Sequence, residues 1–306
     1  MGLFRHVTPI HVIRKQRIKN AVYGLLGGAS YCSGLTWVRN SLDIAPSLRV
    51  LIYYKVNAVP GNTLSTTPQL FAEQMRFLME QYTVISPEQL TSAVTKGATL
   101  PRNAVLITFD DGYRDVYDNA YPILKDAGLK ALIFPATDYI GTATPFPHDE
   151  QLPMPNPALD WSHLRTMQDV FTVGSHTKSH QILTTLPLHI AQEEIFASKA
   201  LLEDRLGCAV QYFCYPKGGS GQFSQPLEDM VRAAGYIGSF VTLTGPNALK
   251  HVRSGKWLRR YHVEPFGKFM FARLLDGSCD AIGLKDTHWG GSAKRSFNRL
   301  LGTATR

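Results

Sequence analysis

The sequence has little cysteine, no internal repeat and no low-complexity run in its 306 residues. None of its four cysteines (Cys32, Cys208, Cys214 and Cys279) stands in a CxxC or CxxH pair. This pattern excludes a disulfide framework and a zinc knuckle. With 44% hydrophobic residues, the chain is typical of a folded globular protein, long enough for one large α/β domain or two ordinary ones.

Acidic residues are absent before Asp43, whereas five basic residues lie between Arg5 and Lys19. The last residues are also basic, so the net charge of +8 is concentrated at the two ends of the chain. No nucleic-acid-binding motif accompanies this charge, and we expect no nucleic-acid partner. Residues 20–38 carry no charge, but they are only mildly apolar and include no clear A-x-A cleavage site.

The sequence therefore predicts three regions. Residues 1–48 form a basic and apolar lead-in, which is either a membrane-associated helix making a peripheral membrane contact or a helix packed outside the domain. Residues 49–285 form the catalytic domain, and residues 286–306 form a basic C-terminal tail. The lack of a clear leader favours the cytoplasm or the cytoplasmic membrane over the periplasm.

Short apolar runs alternate with amphipathic segments from residue 49 onward. Three helices carry recognisable boundary signals: Thr67-Pro68, a capping box at Ser86–Gln89, and Gly207 after a long helix over 187–206. The alternation predicts a parallel sheet and, at this length, a closed or nearly closed (β/α) barrel. The predicted strands are 49–54, 104–109, 131–135, 170–174, 211–215, 236–241 and 258–263.

Polar residues follow three of these strands, at the edge where such barrels carry their chemistry. Asp110 and Asp111 follow the second strand, His176 and His180 the fourth, and residues 216–218 the fifth. Two adjacent carboxylates at a buried strand end repel each other and require a nearby cation. One aspartate with two histidines leaves open positions on a metal ion, which is typical of a catalytic site. Alone, the HxxxH spacing is weak and Asp-Asp-Gly is most often a turn.

Residues 108–112 (Thr-Phe-Asp-Asp-Gly) and 176–180 (His-Thr-Lys-Ser-His) resemble the first two motifs of the polysaccharide deacetylases, carbohydrate esterase family four. Further similarity lies around Trp161, over residues 213–218 and over residues 260–263. The resemblance extends over about residues 49–275. It implies an α/β fold of the polysaccharide deacetylase type, a distorted (β/α) barrel of about seven parallel strands.

The resemblance also implies roles for the motif residues. Asp111, His176 and His180 would bind a divalent metal, with Zn2+ the expected ion and Co2+ or another divalent ion as alternatives. Asp110 would be the general base that takes a proton from the attacking water. Arg260 could pair with Asp110 and orient it, although a strand-end arginine is also often a plain surface residue.

The other predicted site residues include departures from the family pattern. Lys217 stands where the family usually has a tyrosine and would offer a backbone N–H to the oxyanion, while Tyr215 and Trp161 would contact substrate. Cys214 replaces the arginine of the third motif. Tyr54 replaces a histidine that is a proposed general acid, and a tyrosine with a pKa near 10 is poorly matched to neutral pH. The nearest alternative acid is His262, and among the remaining histidines only His148 is expected near the mouth.

These residues predict a metal-dependent hydrolase that removes N-acetyl groups from amino sugars of a polysaccharide or glycan. The alternative is a catalytically impaired barrel that binds a glycan or a biosynthetic partner without turnover. The replacements at Tyr54 and Lys217 favour the alternative, and the complete set of aspartates and histidines favours the enzyme. A non-haem iron oxygenase fits poorly because it leaves Asp110 without a role.

Overall fold

The computed structural model describes residues 47–59, 62, 64–150 and 156–280. All but the last two residues of the predicted lead-in lie outside the described residues, and so does the whole C-terminal tail. The membrane-associated helix and the limits of the catalytic domain therefore stay predictions. Within the described part of the chain, no helix combines the length and hydrophobicity needed to cross a membrane.

Strands and helices alternate along the chain from residue 47. The strands are β1 (Ser47–Tyr53), β2 (Lys55–Val56), β3 (Ser65–Thr66), β4 (Thr83–Val84), β5 (Ala104–Asp111), β6 (Ala131–Pro135), β7 (Phe171–Val173), β8 (Tyr212–Cys214), β9 (Gly238–Phe240), β10 (Asn247–Ala248) and β11 (Tyr261–His262). The helices are α1 (Pro68–Gln81), α2 (Pro87–Lys96), α3 (Tyr121–Asp126), α4 (Trp161–Thr166), α5 (Leu188–Leu206), α6 (Gln225–Ala233), α7 (Leu249–Ser254) and α8 (Lys268–Leu275).

The wall of the barrel is a ring of parallel strands. β11, β1, β5, β6 and β7 are neighbours in one sheet, and β8 pairs with β9. Two isolated parallel bridges join these pieces, Ser175 with Phe213 and Phe240 with Leu258. The prediction of a distorted α/β barrel of about seven parallel strands is confirmed, and its distortion lies at these two joints.

The strand limits differ from the prediction at two functionally important places. β5 continues through Asp110 and Asp111, which pair with Phe134 and Pro135 of β6. The two carboxylates are thus part of the ladder and do not follow it. β11 is shorter than predicted because the Arg259 N–H bonds to the side chain of Asn247 instead of to a backbone carbonyl of a neighbouring strand.

Local signals explain why the helices begin and end where they do. The Thr67 side chain accepts a hydrogen bond from the Leu70 N–H at the start of α1, and Ser86 and Gln89 form the predicted capping box of α2. α5 ends at Gly207 in the left-handed region. Leu188, at the first turn of α5, is exposed. All eight residues of β5 are buried, as expected for a parallel strand covered on both faces.

Candidate active site

The end of β5 places two carboxylates below the surface. Asp110 and Asp111 are each 1% exposed. The chain then turns at Gly112 with a φ of 84°, and a Cβ there would lie 2.7 Å from the Pro135 Cβ. Only glycine combines that conformation with this close approach to β6, so the turn that ends β5 depends on the Asp-Asp-Gly sequence.

Arg260, directly before β11, meets Asp110 with both ends of its guanidinium group. Its terminal nitrogens donate to the two Asp110 carboxylate oxygens at 2.7 and 2.8 Å, and the side chain is completely buried. Thr108 Oγ1 and Cys214 Sγ accept further N–H groups at 3.2 and 2.9 Å. Burial lowers the pKa of Arg260, but the charge of Asp110, its hydrogen bonds and the nearby Cys214 together outweigh burial, and the pKa is raised. We call Asp110, Arg260, Thr108 and Cys214 the arginine side of the site.

Asp111 faces histidines instead. Its Oδ1 lies 3.5 Å from His176 Nε2 and 3.1 Å from His180 Nε2. No N–H group of the described residues is aligned to donate a hydrogen bond to either Asp111 oxygen, although both are buried. One oxygen and two nitrogens within 4.8 Å of one another, with lone pairs left over, fit a divalent metal ion. We call Asp111, His176, His180 and His148 the histidine side.

The protonation of His176 suits a metal ligand. Its Nδ1 lies 2.8 Å from the carbonyl oxygen of Cys214, which can only accept a hydrogen bond, so Nδ1 carries the proton. In the neutral ring that a metal requires, Nε2 then presents a lone pair toward Asp111. Burial lowers the pKa of His176, but Cys214, Asp111 and Asp110 together outweigh burial and raise it, so a metal would have to displace a proton from this ring. Burial lowers the pKa of His180 and favours the neutral ring that metal binding requires. For Asp111, burial opposes ionisation, but the three nearby histidines outweigh it and hold its pKa well below the usual range.

A second group of possible ligands, Asp110, His176 and Cys214, also has its atoms within 4.8 Å of one another. It fits a metal less well, because both oxygens of Asp110 already bind Arg260 and the Cys214 sulfur accepts from the same guanidinium. The Asp111 group is therefore the better candidate.

Backbone strain is concentrated at the same strand ends. Of the six described residues other than glycine with a positive φ, four are Asp111 (70°), Thr177 (67°), His180 (60°) and Lys217 (61°). Left-handed backbone costs free energy for a residue with a side chain, on the order of 1 kcal/mol each, and such residues cluster at functional sites. In particular, two of the three candidate metal ligands are held in strained conformations.

Tyr54 and Lys217 lie on loops at the same end of the barrel. Burial, together with the charges of Asp110 and Asp111, raises the pKa of Tyr54 well above its ordinary value. The ring of His262 packs edge-on against Tyr54 with 5.3 Å between centroids. Lys217 has an exposed side chain and follows β8 in a tight turn, where Gly218 N–H donates to Pro216 O at 2.7 Å.

The structure does not bring two of the predicted residues to the carboxylates. Tyr215 is fully buried in the core, and its hydroxyl donates to Glu228 at 3.0 Å. Trp161 begins α4, and its ring packs beneath the Arg205 guanidinium at 5.7 Å. Both side chains thus support the packing of helices around the barrel in this structure.

His148 is the site residue with the weakest signal in the sequence. Its Nε2 lies 3.4 Å from Asp111 Oδ2, on the oxygen that His176 and His180 leave free. The only indication in the sequence is its place in a proline-rich segment between β6 and β7. The next residue, Asp149, is buried and binds Lys55.

Fold and site together define a parallel (β/α) barrel whose strand ends carry an Asp-His-His cluster beside an Asp–Arg pair. The family model described as Polysaccharide deacetylase matches residues 97–237, which include both motifs. Over these residues the chain matches the polysaccharide deacetylase family.

Individual relatives agree with this assignment. YxkH from Bacillus subtilis (strain 168), whose name gives polysaccharide deacetylase as an unproven activity, is 27% identical over 230 residues, 75% of each chain. The poly-β-1,6-N-acetyl-D-glucosamine N-deacetylase of Escherichia coli (strain K12) is 32% identical over 112 residues, 36% of this chain and 16% of the relative. The Streptococcus pyogenes deacetylase PplD, solved in complex with acetate, shares the fold with a TM-score of 0.63 at 22% identity, covering 76% of this chain and 98% of PplD.

Proposed function

We propose that this protein is a metal-dependent hydrolase that removes N-acetyl groups from amino sugars of a polysaccharide or glycan. The observation that carries the proposal is the contrast between adjacent carboxylates. Both oxygens of Asp110 accept hydrogen bonds from Arg260, whereas the buried oxygens of Asp111 face histidine nitrogens and have no aligned donor among the described residues. The name of the Escherichia coli relative supports an N-acetylglucosamine polymer as the substrate class.

Asp111, His176 and His180 would hold the divalent ion, for which Zn2+ is the expected identity. Such an ion polarises the acetamide carbonyl and makes water a stronger acid. The Cys214 carbonyl keeps the His176 proton on Nδ1, and the left-handed backbone at Asp111 and His180 fixes the direction of these two ligands. The strained backbone costs free energy of folding, but it preorganises the ligand set.

Asp110 would act as the general base. Each carboxylate oxygen has about two lone-pair sites, and Arg260 occupies one site on each oxygen, so an acceptor remains on Asp110 for the proton of water. The bidentate contact prevents rotation of the carboxylate. The Lys217 backbone N–H would stabilise the oxyanion, and Tyr54 or His262 would meet the leaving amine.

The test is acetate release from an N-acetylglucosamine oligomer by the purified full chain. We expect Asp110→Asn to lower the rate by about 10²- to 10⁴-fold, as loss of a general base does, while metal content stays the same. His176→Ala should instead lose the metal, measured by elemental analysis at about one ion per chain in the wild type. An exposed carboxylate, Asp118, provides the matched control as Asp118→Asn. Unchanged metal content in His176→Ala would refute the site.

Tyr54 favours the alternative, a barrel that binds glycan without turnover. Its raised pKa makes the phenol a poor proton donor at neutral pH. The alternative predicts that the wild type binds the oligomer and releases no acetate. Tyr54→His discriminates between the two, because a large gain in acetate release shows that a missing acid limits this chain. An unchanged rate would show that another residue is the general acid, and His262 is the nearest candidate.

A further inference from the structure

The segment over residues 146–150 reaches the histidine side from outside the barrel. Phe146 is 1% exposed and lies against two of the three histidines of that side, with its ring centroid 5.6 Å from that of His148 and 5.3 Å from that of His180. Tyr139 stacks on its other side at 4.0 Å. The aromatic packing brings His148 Nε2 to 3.4 Å from Asp111 Oδ2.

The residue after His148, Asp149, is held by a buried lysine and a tyrosine. Asp149 is 6% exposed and accepts from Lys55 Nζ at 2.5 Å and from the Tyr113 hydroxyl at 2.6 Å. Lys55 has no exposed surface, and its ammonium group lies 4.4 Å from the centre of the Tyr113 ring. A buried ion pair is expensive in desolvation and gives little net stability, so its presence beside the site calls for a further role.

The hydrogen bonds of Tyr113 determine which ring nitrogen of His148 carries the proton. The Tyr113 hydroxyl has one proton, and the short contact with Asp149 uses it. A phenol has an ordinary pKa near 10, so that proton stays on Tyr113 at neutral pH. The Tyr113 oxygen also lies 2.9 Å from His148 Nε2. Since the oxygen can there only accept, His148 must carry its proton on Nε2.

We propose that His148 is a positioning residue of the metal site, held by Lys55, Asp149 and Tyr113 with its Nε2–H beside Asp111 Oδ2. The inference rests on the proposed function, because it concerns the metal that Asp111 would bind. A protonated Nε2 cannot be a metal ligand and attracts Oδ2 electrostatically. Oδ1 is then left facing His176 and His180, so Asp111 presents one defined oxygen to the ion.

The first measurement is Zn2+ affinity of the full chain by calorimetric titration after metal removal. Loss of such a supporting contact typically lowers metal affinity by about 10- to 100-fold, which is the expected effect of His148→Ala. His148→Gln retains an N–H donor and should recover part of the loss. His251→Ala is the matched control, because His251, on α7, is also partly buried but bonds to the carbonyl oxygen of Lys256. Equal affinity in wild type and His148→Ala overturns the proposal.

The second measurement reports on the positioning chain without metal. Nitrogen-15 NMR of histidine-labelled protein distinguishes a protonated ring nitrogen from a bare one, and His148→Gln assigns the signal. We expect protonated Nε2 in the wild type. In the paired variant Lys55→Met with Asp149→Leu, no buried charge is left unpaired and the Tyr113 hydroxyl is free to donate to His148. The proton should then move to Nδ1, and a wild-type ring already protonated on Nδ1 contradicts the proposal.

The two measurements also separate this inference from the proposed function. If the wild type binds no Zn2+ at this site, the metal-dependent function and the inference both fail. If the wild type binds Zn2+ with unchanged affinity in His148→Ala, only the inference fails. If the inference holds, combining His148→Ala with the paired variant lowers affinity no further than His148→Ala alone, because both act through one contact.

Discussion

The arginine side and the histidine side begin from adjacent residues of one strand, yet they differ in whether the carboxylate finds hydrogen-bond donors in the protein. On the arginine side, the described carboxylate and guanidinium groups satisfy each other within the protein. On the histidine side, the carboxylate oxygens have no aligned donor within the described part of the chain, and the backbone is strained at Asp111 and His180. A fold tolerates unsatisfied buried oxygens and strain only where something else is gained.

The difference indicates how stability and function are divided between neighbours. The arginine side contributes to folding whether or not a ligand is bound, and it fixes the orientation of Asp110. The histidine side contributes to folding mainly when a cation is present, through linkage between binding and stability. Substitutions on the two sides should therefore differ in which quantity they change.

The largest effect is expected from Arg260→Met. It leaves the Asp110 carboxylate buried without its partner and should lower the free energy of unfolding by about 3–5 kcal/mol. Chemical denaturation in the presence of a chelator measures this. The adjacent Arg259 is exposed, so Arg259→Met should change stability by less than about 0.5 kcal/mol. Similar stabilities for the two variants would show that the arginine side does not carry the stability assigned to it.

The next effect concerns the histidine side, through Asp111→Asn. Zinc sites bind with about 10–16 kcal/mol over three or four ligands, so weakening one ligand should cost roughly 3 kcal/mol, on the order of 10²-fold in Zn2+ affinity. Without metal the variant should lose much less free energy of unfolding than Arg260→Met, because no aligned hydrogen bond among the described residues is lost and only the attraction of the nearby histidines is removed. Calorimetric titration and denaturation in chelator give the two values. A metal-free loss as large as that of Arg260→Met would contradict the contrast between the sides.

Asp115 sharpens the comparison as a third carboxylate, bound by the Val56 N–H and by the amide of Asn57. Burial raises its pKa to about 6. The folded state therefore holds its proton to a higher pH than the unfolded state. Its contribution to stability is fully present below about pH 4 and is lost as pH rises through 6. Relative to Asp115→Asn, the wild type should lose about 2 kcal/mol between pH 4 and pH 7 in denaturation experiments; a difference independent of pH would refute this.

The smallest effect is expected from Thr108→Val, which keeps the shape of the side chain. Thr108 Oγ1 donates to Leu51 O at 2.8 Å and accepts from Arg260 at 3.2 Å. The ion pair to Asp110 remains, so the free energy of unfolding should fall by only about 1 kcal/mol. Thr95→Val, at an exposed position of α2, is the control. A loss as large as that of Arg260→Met would show that Thr108, rather than the ion pair, organises the arginine side.

Much of the site could be predicted because its central residues stand in short contiguous motifs at strand ends. Asp110 with Asp111, and His176 with His180, each follow a recognisable apolar run, and parallel strands bring such ends together. The alternation of strands and helices likewise predicted the barrel, since period and boundary signals are local properties of the chain.

The parts that could not be predicted depend on contacts between distant residues. Lys55 and Asp149 are 94 residues apart and belong to no common pattern, so the ion pair has no sequence signal. The sequence predicts His148 near the mouth, but not its contact with Asp111. Tyr215 is expected at the site because it stands beside a motif, but a side chain next to a strand end can point to either face of the strand. In the structure its hydroxyl donates to Glu228.

The two joints of the barrel have a consequence for its mechanics. At one joint, Ser175 alone bridges to Phe213, and the next residue, His176, reaches across to the Cys214 carbonyl with its ring. An ion shared by His176 and Asp111 would tie β5 to the far edge of this gap. Binding of the ion would then hold together a joint of the barrel wall where one bridge connects the strands. Slower amide hydrogen exchange at Ser175 and Cys214 on ion binding would report this stabilisation.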